Sequence, residues 1–391
     1  MTRIDTGLLS RTWVVDGSVD PLSALGPGGF AWFVDGFGLA TSGVAARVSA
    51  ADAADVLAGI DSDDPLSVPG SGPLVVGALG FDGTGQLIVP ARIVGRTADG
   101  LSWVTEVGPA DDAAEGWAAS PLPRPTSDDR RAWSAAVQEA LARIEDGRLA
   151  KVVLAREATV DLDRPLQVST VVDRLRHEQP SCFTYAAGSY VGASPELLAR
   201  RRGDRVLSRP MAGTVSQGSS PHEDRRLVAT MASSAKEQAE HRLVVDDVRA
   251  KLGRVCADLR SADDPQVVRL STVAHLATTV EGRIDDPRIS ALAVAGLLHP
   301  TPAVAGVPVA AALAAITELE DFDRGLYAGP VGWVDTRGDG DWAVALRSAT
   351  LDGTGARLVA GAGIVAGSDP DAEWDETEAK LAAMRSALTD A

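Results

Sequence analysis

Residues 342–388, WAVALRSATLDGTGARLVAGAGIVAGSDPDAEWDETEAKLAAMRSAL, read as strand, turn, strand and helix. Trp342–Leu351 and Ala356–Ala362 are expected as strands joined through Asp352-Gly353-Thr354-Gly355. Ser368-Asp369-Pro370 then opens a helix running to about Leu388, because Pro is favoured in a first helical turn. Side chains alternate along a strand, so Arg347 shares a face with Ala343, Ala345 and Ala349. Its long side chain stands among small neighbours. That setting suits a bidentate grip on a substrate carboxylate, and equally an edge-strand pairing with a surface acid.

Gly361-Ala362-Gly363 with Ala366 matches GxGxxG/A. The chain ends at Ala391, too soon for the βαβ unit and later acid that a dinucleotide site needs. What remains is backbone chemistry: glycines at a strand end let N–H groups approach an anion. In the helix that follows, Glu373 and Glu376 lie i, i+3, and Glu237 and Glu240 repeat that spacing upstream. Acids so spaced project from one face and repel. They form either a solvated acidic face or an oxygen-ligand site for a hard divalent cation, with Mg²⁺ the expected ion.

Working outward, His222–Leu252 contains no Gly or Pro and is expected as one long helix entered at Ser219-Ser220-Pro221. Val267–Val280 is expected as one long strand with His275 near its middle, where a histidine is either a hydrogen-bonded core residue or a catalyst. His241 follows Glu240 but projects about 100° away from it on a helix. Another helix is expected from Ser127 to about Asp146-Gly147, then a strand at Lys151–Arg156. Lys151 opens that apolar strand, where burial would lower its pKa toward that of a general base and exposure would leave it ordinary. The Gly-rich first 120 residues predict short strands (Ala31–Val34, Leu74–Leu79, Leu87–Val89, Leu101–Val107) with turns at Asp82-Gly83 and Asp99-Gly100. Ser120–Thr126, SPLPRPT, is expected as a linker or exposed crossing segment.

The 391 residues carry 37 Lys+Arg against 54 Asp+Glu, a net charge of −17 that argues against nucleic acid and anionic membranes as partners. Hydrophobic residues at 45% promise a sizeable core. Cys182 and Cys256 have no metal-like spacing and are expected as free thiols. No leader-like or membrane-length apolar run is seen, so a cytoplasmic location is expected.

Together these segments resemble the chorismate-utilising enzymes, the family of isochorismate synthase, salicylate synthase and the large subunits of anthranilate and aminodeoxychorismate synthases. The resemblance spans roughly residues 127–390. It rests on KVVLAR (Lys151–Arg156), GASPELLAR (Gly192–Arg200), RPMAGTV (Arg209–Val215), SAKEQAEH (Ser234–His241), AHLATTVEG (Ala274–Gly282), LHPTPAVAG (Leu298–Gly306), DRGLYAGPVGW (Asp323–Trp333), ALRSATL (Ala345–Leu351), AGAGIV (Ala360–Val365) and EWDETEAKL (Glu373–Leu381).

The resemblance implies an α+β fold of two large stacked β-sheets flanked by helices. Residues 1–126 would form a divergent β-rich lobe of the same fold and 127–391 the chorismate-binding catalytic region. Within the family the chain looks most like isochorismate synthase. Val309 stands where ammonia-using members carry Lys, and Lys151 matches the water-activating base. Tyr327 keeps a salicylate-forming lyase open as the alternative, whereas Ala303, where lyases tend to carry Thr, points back to the isomerase. The implied roles are Lys151 as base, Glu196 as acid and His275 as an orienting group. Glu240 and Glu376, with Glu237 and Glu373, would hold Mg²⁺ against the ring carboxylate of chorismate. Arg347, Gly361, Ala362, Gly363, Gly213, Thr214 and Lys380 would bind the substrate. A monomer without a glutamine amidotransferase subunit is expected, with a product feeding either menaquinone or siderophore synthesis.

Overall fold

Phe30-Ala31-Trp32-Phe33-Val34 shows how the core is built. Trp32 and Val34 point into one apolar cluster while Ala31 and Phe33 point into another, so this strand is buried on both faces. The computed structural model describes residues 6–108 and 130–389. In chain order it begins with β1 (Leu9–Val15), β2 (Phe30–Val34), β3 (Phe37–Ser49), α1 (Ala53–Gly59), β4 (Asp61–Asp63), β5 (Leu74–Ala78), β6 (Gln86–Arg96) and β7 (Ser102–Gly108). Next come α2 (Arg130–Glu145), β8 (Lys151–Asp161), α3 (Val168–Glu178), β9 (Phe183–Ala187), β10 (Tyr190–Ser194), β11 (Leu197–Arg202), β12 (Arg205–Arg209), β13 (Met211–Ser216), α4 (Pro221–Ser233) and α5 (Ala235–Leu252). They are followed by β14 (Cys256–Ser261), β15 (Gln266–Arg269), β16 (Val273–Ala277), β17 (Val280–Ile284), α6 (Ala291–Leu298), β18 (Gly306–Val307) and α7 (Val309–Leu319). The chain closes with β19 (Pro330–Asp335), β20 (Gly340–Val344), β21 (Ser348–Asp352), β22 (Gly355–Val365) and α8 (Pro370–Leu388).

Two long ladders share β6. One runs β4, β1, β7, β6, β3, β2, β9, β10, β21, β22, β8, β18. The other leaves the N-terminal half of β6 at the pair Val76↔Ile88 and runs β5, β19, β20, β11, β12, β17, β14. Their inner faces pack together through Trp32, Leu39 and Tyr185 from the first and Val76, Trp333 and Ala343 from the second. Helices α3 and α8 cover the outside of the first ladder with Val171, Leu175, Leu381 and Met384, and α5 and α6 cover the second with Val248, Leu252 and Leu292. This is the α+β sandwich expected. A separate small sheet, β13–β16–β15, lies beside α4 over its own minor core of Val228, Met231, Ala274 and Leu276.

Three elements differ from their sequence reading. The long helix is two helices, because Ser234 takes an extended conformation (φ −70°, ψ 121°) that ends α4 and caps α5, accepting a hydrogen bond from Glu237 N at 3.4 Å. The strand read over Val267–Val280 is three strands: β15 and β16 form a hairpin through Leu270–Thr272, and β17 belongs to the other sheet. Trp342–Leu351 breaks at Ala345–Arg347, where the chain leaves the second ladder and enters the first. Arg347 therefore shares no strand face with Ala343, Ala345 and Ala349. Its φ of +50° is a left-handed conformation that a side chain bears at a cost, tolerated where the surrounding structure dictates it. Both cysteines are free, Cys182 buried and Cys256 half-buried. The Ser120–Thr126 segment lies outside the described residues, and no described helix is long and apolar enough to cross a membrane.

Replacing Ser234 with Ala removes the α5 cap and is expected to lower the unfolding free energy by about 1 kcal/mol. A urea titration measures it; an unchanged midpoint would show that the cap contributes nothing.

Candidate active site

Strands β8 and β22 pair antiparallel without interruption from Gly355↔Asp161 to Val365↔Lys151. The pairing places Gly363 opposite Val153 and leaves a gap above the sheet. A Cβ on Gly363 would lie 2.8 Å from Glu240 Oε1 and 3.1 Å from Lys151 Cε, so a glycine here gives these two side chains their room. Lys151, 1% exposed, meets Glu240 at 2.9 Å. Burial works to raise the Glu240 pKa, but the Lys151 ammonium prevails and holds it below the usual range. Lys151 and Glu240 thus form a buried ion pair on the cavity floor.

The cavity above this pair is lined from several elements. Glu196 comes from the short break between β10 and β11, held by Glu196 N donating to Ser194 Oγ and Val344 N donating to the Glu196 carbonyl. Burial pushes its pKa up to about 7, against the pull of the Met211 backbone and of Lys151, Arg347 and Lys380. From α8, Lys380 binds Glu376 at 2.6 Å and the Gly361 carbonyl at 2.8 Å. Tyr327 lies against the same glycine: a Cβ on Gly361 would fall 3.2 Å from the Tyr327 hydroxyl.

On the small sheet, His275 sits opposite Thr214 in the β13–β16 register. Arg347 NH2 donates to His275 Nε2 at 3.0 Å, which puts the ring proton on Nδ1, facing the Gly213 carbonyl at 3.3 Å and Thr214 Oγ1 at 3.1 Å. Burial, together with Arg347 and Lys380, drives its pKa well down, so the ring is neutral. His275 is thus fixed on both sides.

Lys151, Glu196, Gly213, Thr214, Glu240, His275, Ala303, Tyr327, Arg347, Gly361, Gly363, Glu376 and Lys380 all line this one cavity. Four residues weighed for the site in the sequence, Ala362, Glu237, Glu373 and His241, do not. Ala362 turns its side chain into the core between β8, β22 and α7, because alternation sends it to the face opposite Gly361 and Gly363. Glu237 lies just behind the wall, accepting from Thr214 N at 3.2 Å, and burial with Glu240 raises its pKa. Glu373 is buried beside Ser368 and Glu376, its pKa raised to about 7 first by burial and then by Glu376. His241 faces away and bonds Thr278 Oγ1. Sequence reasoning gave no role to the apolar lining, Val153, Pro195, Met211 and Leu346, although all four lie within the quoted blocks.

Three cations, Lys151, Arg347 and Lys380, line the cavity together with Glu196, Glu240 and Glu376, and two further acids, Glu237 and Glu373, lie just outside its lining. No group of three or more His, Cys, Asp or Glu among the described residues converges on one ion position as the chain stands. The donor chemistry still suits a hard cation: Glu237 and Glu376 repel each other from different helices, and Glu240 and Glu376 each spend an oxygen on a lysine.

A family model described as "Chorismate binding enzyme" matches residues 106–389. The chain is 38% identical over 331 residues to "Isochorismate synthase DhbC" of Bacillus subtilis, covering 81% of each chain. It is 32% identical over 365 residues to "Isochorismate synthase MenF" of the same organism, covering 84% of this chain and 77% of that one. Among solved structures, MenF, the menaquinone-specific isochorismate synthase of Escherichia coli, superposes with a TM-score of 0.81 at 27% identity, covering 98% of this chain and 94% of that one.

Gly363→Ala is expected to displace the Lys151–Glu240 pair and cut turnover at least about tenfold, at a stability cost below about 1 kcal/mol because two flexible side-chain ends can yield. Wild-type turnover in this variant would show that the gap is not needed.

Proposed function

The chain belongs to the chorismate-binding enzyme family, and from that premise we propose that it is an isochorismate synthase, converting chorismate to isochorismate by adding water at ring C2 with loss of the C4 hydroxyl. One observation carries the reading. A lysine and a carboxyl whose pKa is raised to about 7 line the same buried cavity, the pairing of base and acid that water addition and hydroxide loss require.

Glu196 holds its proton near neutral pH and gives it to the departing C4 hydroxyl. Lys151 Nζ, placed 2.9 Å from Glu240, takes the proton of the water as its oxygen bonds to ring C2. Arg347 binds the enolpyruvyl carboxylate, with Thr214 and Lys380 alongside. Neutral His275, held by Arg347 and Gly213, keeps that guanidinium aimed. Mg²⁺ held by Glu240 and Glu376, with Glu237 and Glu373 contributing directly or through water, would neutralise the ring carboxylate. An excess of acids in the pocket is otherwise hostile to a dianion.

Purified protein incubated with chorismate and Mg²⁺ is expected to yield isochorismate, with activity lost in EDTA and restored by Mg²⁺. Lys151→Ala and Glu196→Gln each abolish turnover while chorismate binding persists. Salicylate and pyruvate as products would replace this reading with the lyase, which Tyr327 brought into view; full activity in either variant would remove the acid and base roles.

The pH profile follows from the direction of the Glu196 shift. The acid works only protonated, so kcat/KM is expected to fall above about pH 7, by about tenfold per unit at the limit. A profile flat to pH 9, or a limb that Glu196→Gln leaves unmoved, contradicts the assignment.

A further inference from the structure

Behind the cavity lies a buried ion pair that the mechanism does not use. Arg324 and Glu320 have side chains only 3% exposed and form a bidentate pair, with Arg324 Nε on Glu320 Oε2 at 2.8 Å. Arg324 also donates to two backbone carbonyls, Val304 at 2.8 Å and Val153 at 2.8 Å. Glu320 Oε1 accepts from Ala155 N at 2.7 Å. The guanidinium lies over the Phe81 ring, its centre 4.3 Å from the centroid.

These bonds fall where a strand would otherwise be. On one edge β8 is paired along its whole length with β22, but on the other it meets β18 only at Lys151 and Val152, extended by Val153 N to the Ala305 carbonyl. Beyond that point no strand among the described residues continues the ladder. Arg324 supplies the donor for Val153 O and Glu320 the acceptor for Ala155 N, the two groups a further strand would offer. Val153 and Val304 both line the catalytic cavity, and Lys151 is two residues from the first.

We infer that the Arg324–Glu320 pair is a side-chain continuation of the β8 ladder that positions Lys151 and the Ala303–Val304 wall for the reaction. The inference rests on the proposed isochorismate synthase activity for its kinetic consequence, and on geometry alone for its structural one. Arg324 and Glu320 are positioning residues; neither lines the catalytic cavity.

Two variants test it. Glu320→Gln keeps an acceptor for Ala155 N but weakens the grip on Arg324. The double variant Arg324→Met with Glu320→Leu replaces the pair by apolar side chains, an exchange that buried ion pairs often survive without loss of fold. Expected in both are a kcat lowered by roughly tenfold to a hundredfold, a chorismate KM within about threefold of wild type, and faster amide exchange in the peptide spanning 151–156 by mass spectrometry. Glu320→Gln serves alone if the double variant does not fold. Unchanged exchange in that peptide overturns the inference whatever the activity. Faster exchange with wild-type kcat overturns the link to Lys151. A wild-type enzyme that leaves chorismate untouched removes the proposed activity instead, while the exchange data still decide the positioning role.

Discussion

The uninterrupted antiparallel pairing of β8 with β22 is the constraint on which the site depends. It brings Lys151 beside Val365 and sets Gly361 and Gly363, the residues without side chains, where the cavity floor must be open. Lys151–Glu240 and Lys380–Gly361 both attach to this floor, so a backbone pairing that takes no part in chemistry fixes where these charges sit. A one-residue slip would turn Lys151 into the core and Leu154 into the cavity, because side chains alternate with period two.

The electrostatics of the pocket follow from burial more than from any single partner. Burial raises Glu196, Glu237 and Glu373 and lowers His275, in every case disfavouring charge. Glu240 is the exception, kept ionised by an adjacent ammonium. Carboxyl groups of three kinds therefore coexist: Glu196 and Glu373, both pushed up to about 7; Glu240, held below the usual range; and Glu237, raised by burial and by Glu240 behind the cavity wall. The surplus of negative charge that first argued against polyanionic partners is, within this cavity, a reason to expect a cation to accompany an anionic substrate.

Much of the site was legible because its chemistry lies in short blocks: SAKEQAEH, EWDETEAKL and GASPELLAR each place a carboxylate at a definite point on a helix or strand end. The blocks say nothing about long-range pairing. Nothing within Trp342–Leu351 reveals that the chain changes sheets at Arg347, since both halves carry strand-forming alternation and only their different partners break the strand. The division at Ser234 had a local signal, Ser-Ala-Lys-Glu at 234–237, which is the spacing of a helix cap, but an unbroken run without Gly or Pro outweighed it. Arg324 and Glu320 lie in a quoted block and just before it, yet their function depends on an open edge of β8 that exists only once the sheets are assembled.

Beside local hairpins, the two ladders contain partners far apart along the chain: β2 joins β9, β5 joins β19, and β8 joins β22. Such connections close large loops before they are rewarded by contacts, which makes assembly slow relative to a protein of local hairpins. On the ribosome, β2, β3, β5 and β6 emerge long before β19 and β22 exist to cover them. The nascent chain therefore carries unpaired strand edges through most of its synthesis, and the floor of the catalytic cavity is closed only when nearly the whole polypeptide has been made.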